Sequence, residues 1–379
     1  RQMCIRDSSI IAFHLPKKDF QGFHIVASHS DSPTYRIKEQ PEMSVEKHYT
    51  KLNIERYGGM IPETWFDRPL SVAGRIIIEE NGQIKDQLVN IDRDLMIIPN
   101  LAIHMSRSSN ESKQLNPQKD LLPLCGGNLT KDAFEEMIAK ESGVEKEDIL
   151  SYDLFLYNRM RGTTLGINEE FVAAPKLDDL ECVYSSIEGM LNAKLSKDYV
   201  TVCAVFDNEE VGSGTKQGAG STFFPEVLKR ISYLCGKNEE EYYMAVADSF
   251  MLSADNAHAV HPNYQDKTDP TNRPYINEGI VLKYNASQKY TTDANSAALV
   301  KYLCKKEKIK CQVFFNRSDM LGGSTLGNIL TGQVSIKAAD IGLPQLSMHS
   351  TYETAGCKDL DDMITLMGSF YELGKEVQI

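Results

Sequence analysis

Short apolar runs alternate with amphipathic segments along most of this chain, and this alternation is the first guide to its fold. The strand-like runs are rich in β-branched and aromatic residues and lie at residues 9–15, 22–28, 199–206, 279–284 and 311–315. The segments with helical periodicity lie at residues 178–193, 224–235, 293–306 and 360–374. The alternation predicts an α/β domain: a mixed sheet in three layers, with helices on both faces.

Two local predictions concern the stretch before and around Asp255. Residues 241–248 have a strand-like pattern, so we expect a strand there. Asp255 and His258 are three positions apart, and we expect them to share one face of a helical turn.

Residues 34–162 have a different character, with glycines and prolines that punctuate short strands. This spacing predicts a small antiparallel sheet or barrel. We interpret it as a domain inserted between two halves of a larger one, residues 9–33 and 163–379. Residues 1–8 show no pattern that leads into residue 9, and we interpret them as an unmatched, artefactual leader or a short frayed terminus.

Composition and charge limit the function classes. The 379-residue chain has a formal net charge of −12, which argues against a nucleic-acid or anionic-membrane surface. Its 8 cysteines are scattered without a C-x-x-C pair, which indicates free thiols in a reducing compartment. No signal peptide or apolar run of membrane-spanning length is visible, so we predict a cytoplasmic protein.

The most informative stretch is the end of the 199–206 strand, where Asp207, Asn208, Glu209 and Glu210 follow directly. Ligands of open α/β sheets bind beyond the carboxyl ends of strands. Two adjacent glutamates there repel each other unless a cation or a proton is shared. The stretch alone leaves two interpretations equally open, a solvated acidic turn and half of a metal site.

Other polar residues of ligand type also follow strands. His29 and Asp31 end one strand, and each metal-type residue has an ordinary alternative, such as a turn histidine or helix-capping acids at Asp178 and Asp179. Taken together, the candidate ligands are His29, Asp178, Glu210, Asp255 and His349. Oxygen and imidazole ligands without thiolate suit zinc, manganese or cobalt. Five ligands complete a two-metal site if Asp178 bridges, and Glu209 is then free to act as the general base.

From residue 9 to the C-terminus the chain resembles the M18 metallopeptidases, the aspartyl aminopeptidase family. The stretches that carry the resemblance are HSDSP at 29–33, TWFDR at 64–68, LAIH at 101–104, APKLD at 174–178, DNEEVGS at 207–213, AHAVHPN at 257–263 and PQLSMHS at 344–350. The family's N-terminal helical segment, which contributes to assembly in relatives, has no match here.

The resemblance implies a role for each matching residue. One metal would be held by His29, Asp178 and Asp255, and a second by Asp178, Glu210 and His349. Glu209 would be the general base. Asp31 is a candidate from the residues themselves, as an orienter of His29 or as a charge beside it, because a metal-ligating histidine usually donates its other ring N–H to a carboxylate. Substrate contacts would come from His104, His258, Lys283 and Tyr290. The resemblance further implies that residues 34–162 are a dimerisation domain, that members form tetrahedral dodecamers, and that His104 reaches a neighbouring subunit's site.

We therefore expect a metal-dependent aminopeptidase that removes acidic or apolar N-terminal residues from peptides. An amidohydrolase or deacetylase on the same two-metal scaffold is the alternative enzyme. A catalytically silent assembly protein is the alternative from another class, and it would be expected to have lost Glu209 or a ligand.

Overall fold

The computed structural model describes residues 2–5, 8–16, 19–105 and 114–376. These residues form two compact units. The first comprises Arg1–Ser32, Thr163–Met348 and Glu353–Ile379, and the second comprises Pro33–Gly162 and His349–Tyr352.

The described residues form nineteen strands and eight α-helices. The strands are β1 (Gln2–Ile5), β2 (Ser9–His14), β3 (Gly22–His29), β4 (Thr34–Val45), β5 (Tyr49–Tyr57), β6 (Leu70–Glu80), β7 (Gln83–Asn90), β8 (Leu124–Gly126), β9 (Ile149–Asn158), β10 (Thr163–Leu165), β11 (Phe171–Ala174), β12 (Tyr199–Phe206), β13 (Phe250–Ala254), β14 (Ala257–His258), β15 (Ile280–Tyr284), β16 (Cys311–Phe315), β17 (Lys337–Gly342), β18 (Pro344–Leu346) and β19 (Glu353–Gly356). The helices are α1 (Pro117–Asp120), α2 (Ala133–Ser142), α3 (Leu177–Asn192), α4 (Phe223–Leu234), α5 (Glu239–Ala247), α6 (Ala294–Glu307), α7 (Leu326–Gln333) and α8 (Cys357–Tyr371).

The first unit is built on an eight-stranded mixed sheet of order β1-β2-β12-β3-β13-β17-β15-β16. Its centre is parallel, because β12, β3, β13 and β17 pair in the same direction. A five-stranded sheet of order β10-β11-β19-β18-β14 belongs to the same unit.

The central strands are apolar on both sides, which is the pattern of a buried parallel sheet. In β3, Ile25 packs into a cluster with residues of α4, α5 and α7, while Val26 packs into a second cluster with residues of α6 and α8. Successive side chains of a strand point to opposite faces, so these two clusters lie on the two faces of the sheet. The predicted three-layer α/β architecture is confirmed.

The second unit contains an antiparallel sheet of six strands in the order β7-β6-β9-β4-β5-β8. Its own core includes Tyr35, Leu70, Ile76, Leu154 and Ile98, all nearly inaccessible to solvent. Helix α2 contributes Phe134 and Ile138 to the same core.

The predicted strand at residues 241–248 is wrong, since helix α5 occupies this stretch. Asn238 caps the helix: its side chain accepts from the amide of Glu241, whose own side chain accepts from the amide of Asn238. Three glutamates in the first turn, Glu239–Glu241, complement the helix dipole. This terminal hydrogen bonding outweighs the apolar pattern, and the buried strand, β13, begins instead at Phe250.

The expected helical turn at Asp255 and His258 is also wrong, because this stretch is extended. The amide of Asp255 donates to the carbonyl of Ile341 (3.1 Å), and that of Ala257 donates to Leu343 (2.8 Å). These bonds with the neighbouring strand satisfy the backbone across the sheet, so a helical turn does not form. As a result Asp255 is buried whereas His258 is exposed.

Two further observations concern the chain as a whole. Over the described residues, every helix is too short or too polar to span a bilayer. The described cysteines from Cys125 to Cys357 are free thiols.

Candidate active site

Three neighbouring parallel strands deliver polar residues to one edge of the first unit. β3 ends at His29, β12 leads through Asp207 and Asn208 to Glu209 and Glu210, and β13 is followed directly by Asp255. Because β12, β3 and β13 are adjacent and parallel, their carboxyl ends meet. This topology brings together residues that are more than two hundred positions apart in the sequence.

His29 lies at the centre of a compact buried group. Its Nε2 atom is 3.5 Å from Oδ1 of Asp178 and 3.9 Å from Oδ1 of Asp255. Burial alone would lower the pKa of His29, but the hydrogen bond with Asp178 and the charge of Asp179 raise it well above its ordinary value. The imidazole is therefore surrounded by negative charge.

Asp178 and Asp179 stand before the regular turns of α3. Both have non-helical backbone angles, so the sequence expectation of a plain helix start holds only for the residues after them. The carboxylate of Asp179 accepts from the amide of His29 (3.1 Å), and the amide of Asp178 donates to Glu353 (3.0 Å). These bonds fix the Asp178 carboxylate beside His29.

Asp31 connects two of the strand ends. Its two carboxylate oxygens accept from the amides of Glu209 and Glu210, each at 3.1 Å. One of those oxygens lies 3.4 Å from Nδ1 of His29, whose Nε2 faces the group of acids. A single side chain thus orients the candidate ligand and the turn that carries both glutamates.

Glu209 and Glu210 lie in a 3-10 turn, Glu209–Val211, and both are half-buried. Burial, followed by the charge of Asp255, raises the pKa of Glu209 to about 7. Burial, followed by the charge of Asp178, raises the pKa of Glu210 to about 10. A carboxylate oxygen of Glu210 and one of Asp178 lie within 4.8 Å of each other, so both acids face one point.

Lys283 is fully buried beside Asp255. Its ammonium donates to the backbone carbonyls of Asp255 (2.7 Å) and Asn256 (3.3 Å) and lies 3.6 Å from Oδ2 of Asp255. It also lies 5.2 Å from the ring centre of Tyr290, which is buried. The lysine therefore holds the backbone and the side chain of Asp255 in place.

The other predicted residues occupy different settings. His258 is exposed at the end of β14, with its ring centre 6.1 Å from that of Phe314. His104 and His349 belong to the second unit: His104 lies in an exposed 3-10 turn, Ile103–Met105, and the carbonyl of His349 accepts from the amide of Ile61 (3.1 Å). Their parts in the site remain predictions.

The donor set of the first unit fits a hard or borderline divalent cation. His29, Asp178, Asp179 and Asp255 are all buried, and each offers a ligand atom within 4.8 Å of the others. The single ammonium of Lys283, beside Asp255, does not balance the charge of three buried carboxylates, and unbalanced buried charge is unfavourable. Oxygen and nitrogen donors without thiolate are those that zinc or manganese accepts.

The sequence comparison decides the family. The sequence model of the family described as "Aminopeptidase I zinc metalloprotease (M18)" matches residues 3–371. The chain belongs to the M18 family. It is 46% identical over 380 residues to the probable M18 family aminopeptidase 2 of Clostridium acetobutylicum, covering 97% of this chain and 86% of that one.

Solved structures agree with the M18 assignment. The chain superimposes with a TM-score of 0.93 and 37% identity on a chain of the cryo-EM structure of the Ape4 and Nbr1 complex, covering 97% of this chain and 75% of that one. It also matches the S. cerevisiae mApe1 dodecamer with a TM-score of 0.84 and 27% identity, covering 98% and 84%. The resemblance drawn from the sequence motifs is confirmed.

Two residues of this M18 site escaped the sequence reasoning. Asn256 donates from its amide nitrogen to the carbonyl of Leu177 (3.1 Å), to Glu181 (3.2 Å) and to Gln345 (3.1 Å), which ties the Asp255 strand end to the start of α3. Glu353 is buried and holds the amide of Asp178. Their contacts are long-range, and only the position of Asn256 directly after Asp255 offered a signal.

Proposed function

We propose that this M18 protein is an aminopeptidase that uses two divalent ions, most simply zinc, to remove the N-terminal residue of peptides. The observation that supports the proposal best is the buried group around His29, with Glu209 and Glu210 on the adjoining strand end. Members of the family are described as zinc metalloproteases, and relatives of this chain are named aminopeptidases.

In this proposal each ion has three protein ligands. His29, Asp178 and Asp255 would hold the first, while Asp178, Glu210 and His349 would hold the second. The ions would supply a Lewis acid for the peptide carbonyl and would lower the pKa of the attacking water. Asp178 is the shared ligand because a carboxylate has two oxygens to offer, and its position is fixed by Glu353.

Glu209 moves the proton. It takes a proton from the water as the water oxygen bonds to the peptide carbonyl carbon, and it returns that proton to the nitrogen as the carbon–nitrogen bond breaks. The position of Glu209 supports this role, because it lies next to Glu210 in one 3-10 turn and Asp31 holds the amides of both residues.

His104, His258, Lys283 and Tyr290 are the proposed substrate-site residues. Lys283 differs from the others because Asp255 and Asn256 already accept from its ammonium. We therefore do not assign to Lys283 the choice between acidic and apolar N-terminal residues.

We also propose that the second unit is a dimerisation domain and that the protein is a homo-oligomer of the cytoplasm. The S. cerevisiae relative with a TM-score of 0.84 is described as a dodecamer, which supports assembly. The free thiols support a reducing compartment.

The direct test uses one neutral peptide in two forms, with a free and with an acetylated N-terminus. We expect release of the first residue only from the free form. Activity should vanish with a chelator and return when zinc, manganese or cobalt is added. Equal cleavage of the acetylated peptide would contradict an aminopeptidase, and full activity of the metal-free protein would contradict the metal requirement.

A further inference from the structure

A cavity of about 310 Å³ opens beside His258 in the first unit. Its wall includes Lys267 and Thr268, part of the loop after β16 (residues 316, 317 and 320–323), and residues in and after β14 and β18. None of the metal-ligand candidates lines it, so it is a separate feature from the group around His29.

The cavity has an unusual charge for this protein. The chain carries 53 acidic residues against 41 Lys and Arg, yet none of the described residues that line the cavity is Asp or Glu. The lining instead holds two cations, Lys267 and Arg317, and two imidazoles, His258 and His261. A basic concave surface in an acidic protein attracts anionic groups.

The two cations differ in availability. Arg317 forms a two-point ion pair with Asp319, with distances of 2.8 and 3.0 Å, and it also donates to the carbonyl of Asp266. Lys267 is exposed at the end of its 3-10 turn and forms no direct ion pair among the described residues, although its charge is one of the lesser causes that lower the pKa of Asp319. Lys267 is therefore the cation that a ligand can pair with.

The other lining residues fit a peptide. Phe314, Phe315 and Leu346 provide apolar wall, and the rings of Phe315 and Tyr284 are stacked with centres 5.0 Å apart. Clefts that bind small ligands combine such apolar walls with a few placed polar groups.

The cavity is also connected to the metal-ligand group through hydrogen bonds. Gln345 lines the cavity, and its side-chain oxygen accepts from Asn256, the residue after Asp255. His258, a proposed substrate contact, lines the cavity as well. A peptide held at the proposed site by His258 would thus extend into this cavity.

We propose that this cavity binds a carboxylate of the peptide substrate, with Lys267 as its counter-charge. The carboxylate is either an acidic side chain or the free C-terminus of a short peptide, since both present the same chemistry. This inference rests on the proposed aminopeptidase function. It assigns the recognition of negative charge to Lys267, whereas the ammonium of Lys283 is held by Asp255 and Asn256.

The test compares three peptides of equal length with Leu at a free N-terminus. The first has an amidated C-terminus and no charged side chain, the second has a free C-terminus, and the third is amidated with one internal Asp. The variants are Lys267→Met and Lys267→Glu, with Lys301→Met on an exposed position of α6 as the matched control. A fourth peptide, amidated with Asp at the N-terminus, probes the first side chain.

We expect Lys267→Met to lower kcat/KM roughly three- to tenfold for a carboxylate-bearing peptide, the effect of one partly exposed ion pair. Lys267→Glu should lower it further, and kcat/KM of the peptide without a carboxylate should stay within about twofold of wild type. A loss confined to the free C-terminus identifies that group as the ligand, and a loss confined to Asp-containing peptides identifies a side chain.

Equal kcat/KM losses on all four peptides, or no loss on any, would overturn the inference. The peptide without a carboxylate separates this outcome from failure of the proposed function. If the metal-loaded wild type does not cleave that peptide or any other, the result contradicts both the aminopeptidase proposal and the cavity assignment. If the wild type cleaves it and Lys267 has no selective effect, only the cavity assignment falls.

Discussion

The two units differ in what they bury. The core of the first unit contains ionisable side chains, namely His24, His29, Asp178, Asp179, Glu181, Asp255, Lys283, Asp340, Glu353 and Asp359. Among the described residues of the second unit, none of the His, Asp, Glu, Lys and Arg side chains is buried. Its charged residues pair near the surface, as Asp153 does with Arg36 and Arg75.

This difference indicates that the first unit carries the chemistry, whereas the core of the second unit contributes stability. Removing a charged group from water is unfavourable, and a buried pair often stabilises a fold no better than apolar residues do. Perturbed ionisable groups therefore mark functional sites. The first unit tolerates the unfavourable burial where Asp178, Asp255 and Glu209 meet, whereas the second unit has the composition of a purely structural core. The following changes test this division.

The largest effect is expected from Asp178→Ala. In the proposal Asp178 is the ligand shared by both ions, so its loss should leave the protein without either ion and with turnover reduced at least roughly a thousandfold. Metal content per chain after dialysis, measured by elemental analysis, checks this. Asp153→Ala removes a paired carboxylate of the second unit and should retain full metal content. Two ions per chain in the Asp178 variant would show that it does not bridge.

Lys283→Met should have the next largest effect. Its ammonium supports the carbonyl and carboxylate of Asp255, and loss of such support around a metal ligand weakens metal affinity roughly 10- to 100-fold. Chelator competition measures the affinity. Because the ammonium is held by Asp255 and Asn256, kcat/KM should fall equally for Asp and Leu at the N-terminus of the substrate. A loss restricted to Asp would instead place Lys283 against the substrate side chain.

Leu154→Ala tests the structural role of the second unit's core. Leu154 is fully buried there, and such truncations destabilise by about 2 to 5 kcal/mol. Denaturant unfolding should show this loss, while metal content of the folded protein stays at the wild-type level. Leu165→Ala, at an exposed position of β10, is the control for the substitution itself. Loss of metal from folded Leu154→Ala protein would contradict the division between the units.

The smallest expected effect is a dependence of stability on pH that comes from His24. Burial lowers the pKa of His24 to about 3, whereas an unfolded histidine has a pKa near 6.5. Only the unfolded state binds the proton between these values, so stability is complete above pH 6.5 and declines as pH falls towards 3. The slope approaches about 1.4 kcal/mol per pH unit.

His24→Phe should remove this component of acid sensitivity while keeping the ring that stacks on Tyr199 at 4.0 Å. Unfolding free energies at pH 5 and pH 7 measure it, with His48→Phe, an exposed position of the second unit, as the control. An unchanged difference between the two pH values in the His24 variant would contradict the assignment.

The sequence predicted the fold class and the end points of the central strands well. The apolar runs at β3 and β12 are long and are followed at once by His29 and by the Asp207–Glu210 stretch, so their ends were visible. Helix α5 was mistaken for a strand because its apolar pattern is weak, and the hydrogen bonds at Asn238 that start it are local details.

The residues that hold the candidate ligands in position could not be predicted from the sequence. Asp31 accepts from amides 178 and 179 positions away, and Asn256 reaches Leu177 and Gln345. Such contacts depend on the order of strands in the sheet, which cannot be read from the sequence alone. The burial of Lys283 was equally hidden, since a lysine in β15 is expected to be exposed.

The central claim is that Glu209 moves the proton while other residues hold the metal, and Glu209→Gln tests it most directly. Metal content per chain and kcat on a neutral peptide should be measured on the same sample, beside Glu240→Gln from the exposed face of α5. We predict unchanged metal content with kcat lowered roughly 100- to 10,000-fold. A fully metal-loaded Glu209→Gln protein that keeps most of the wild-type turnover would contradict it.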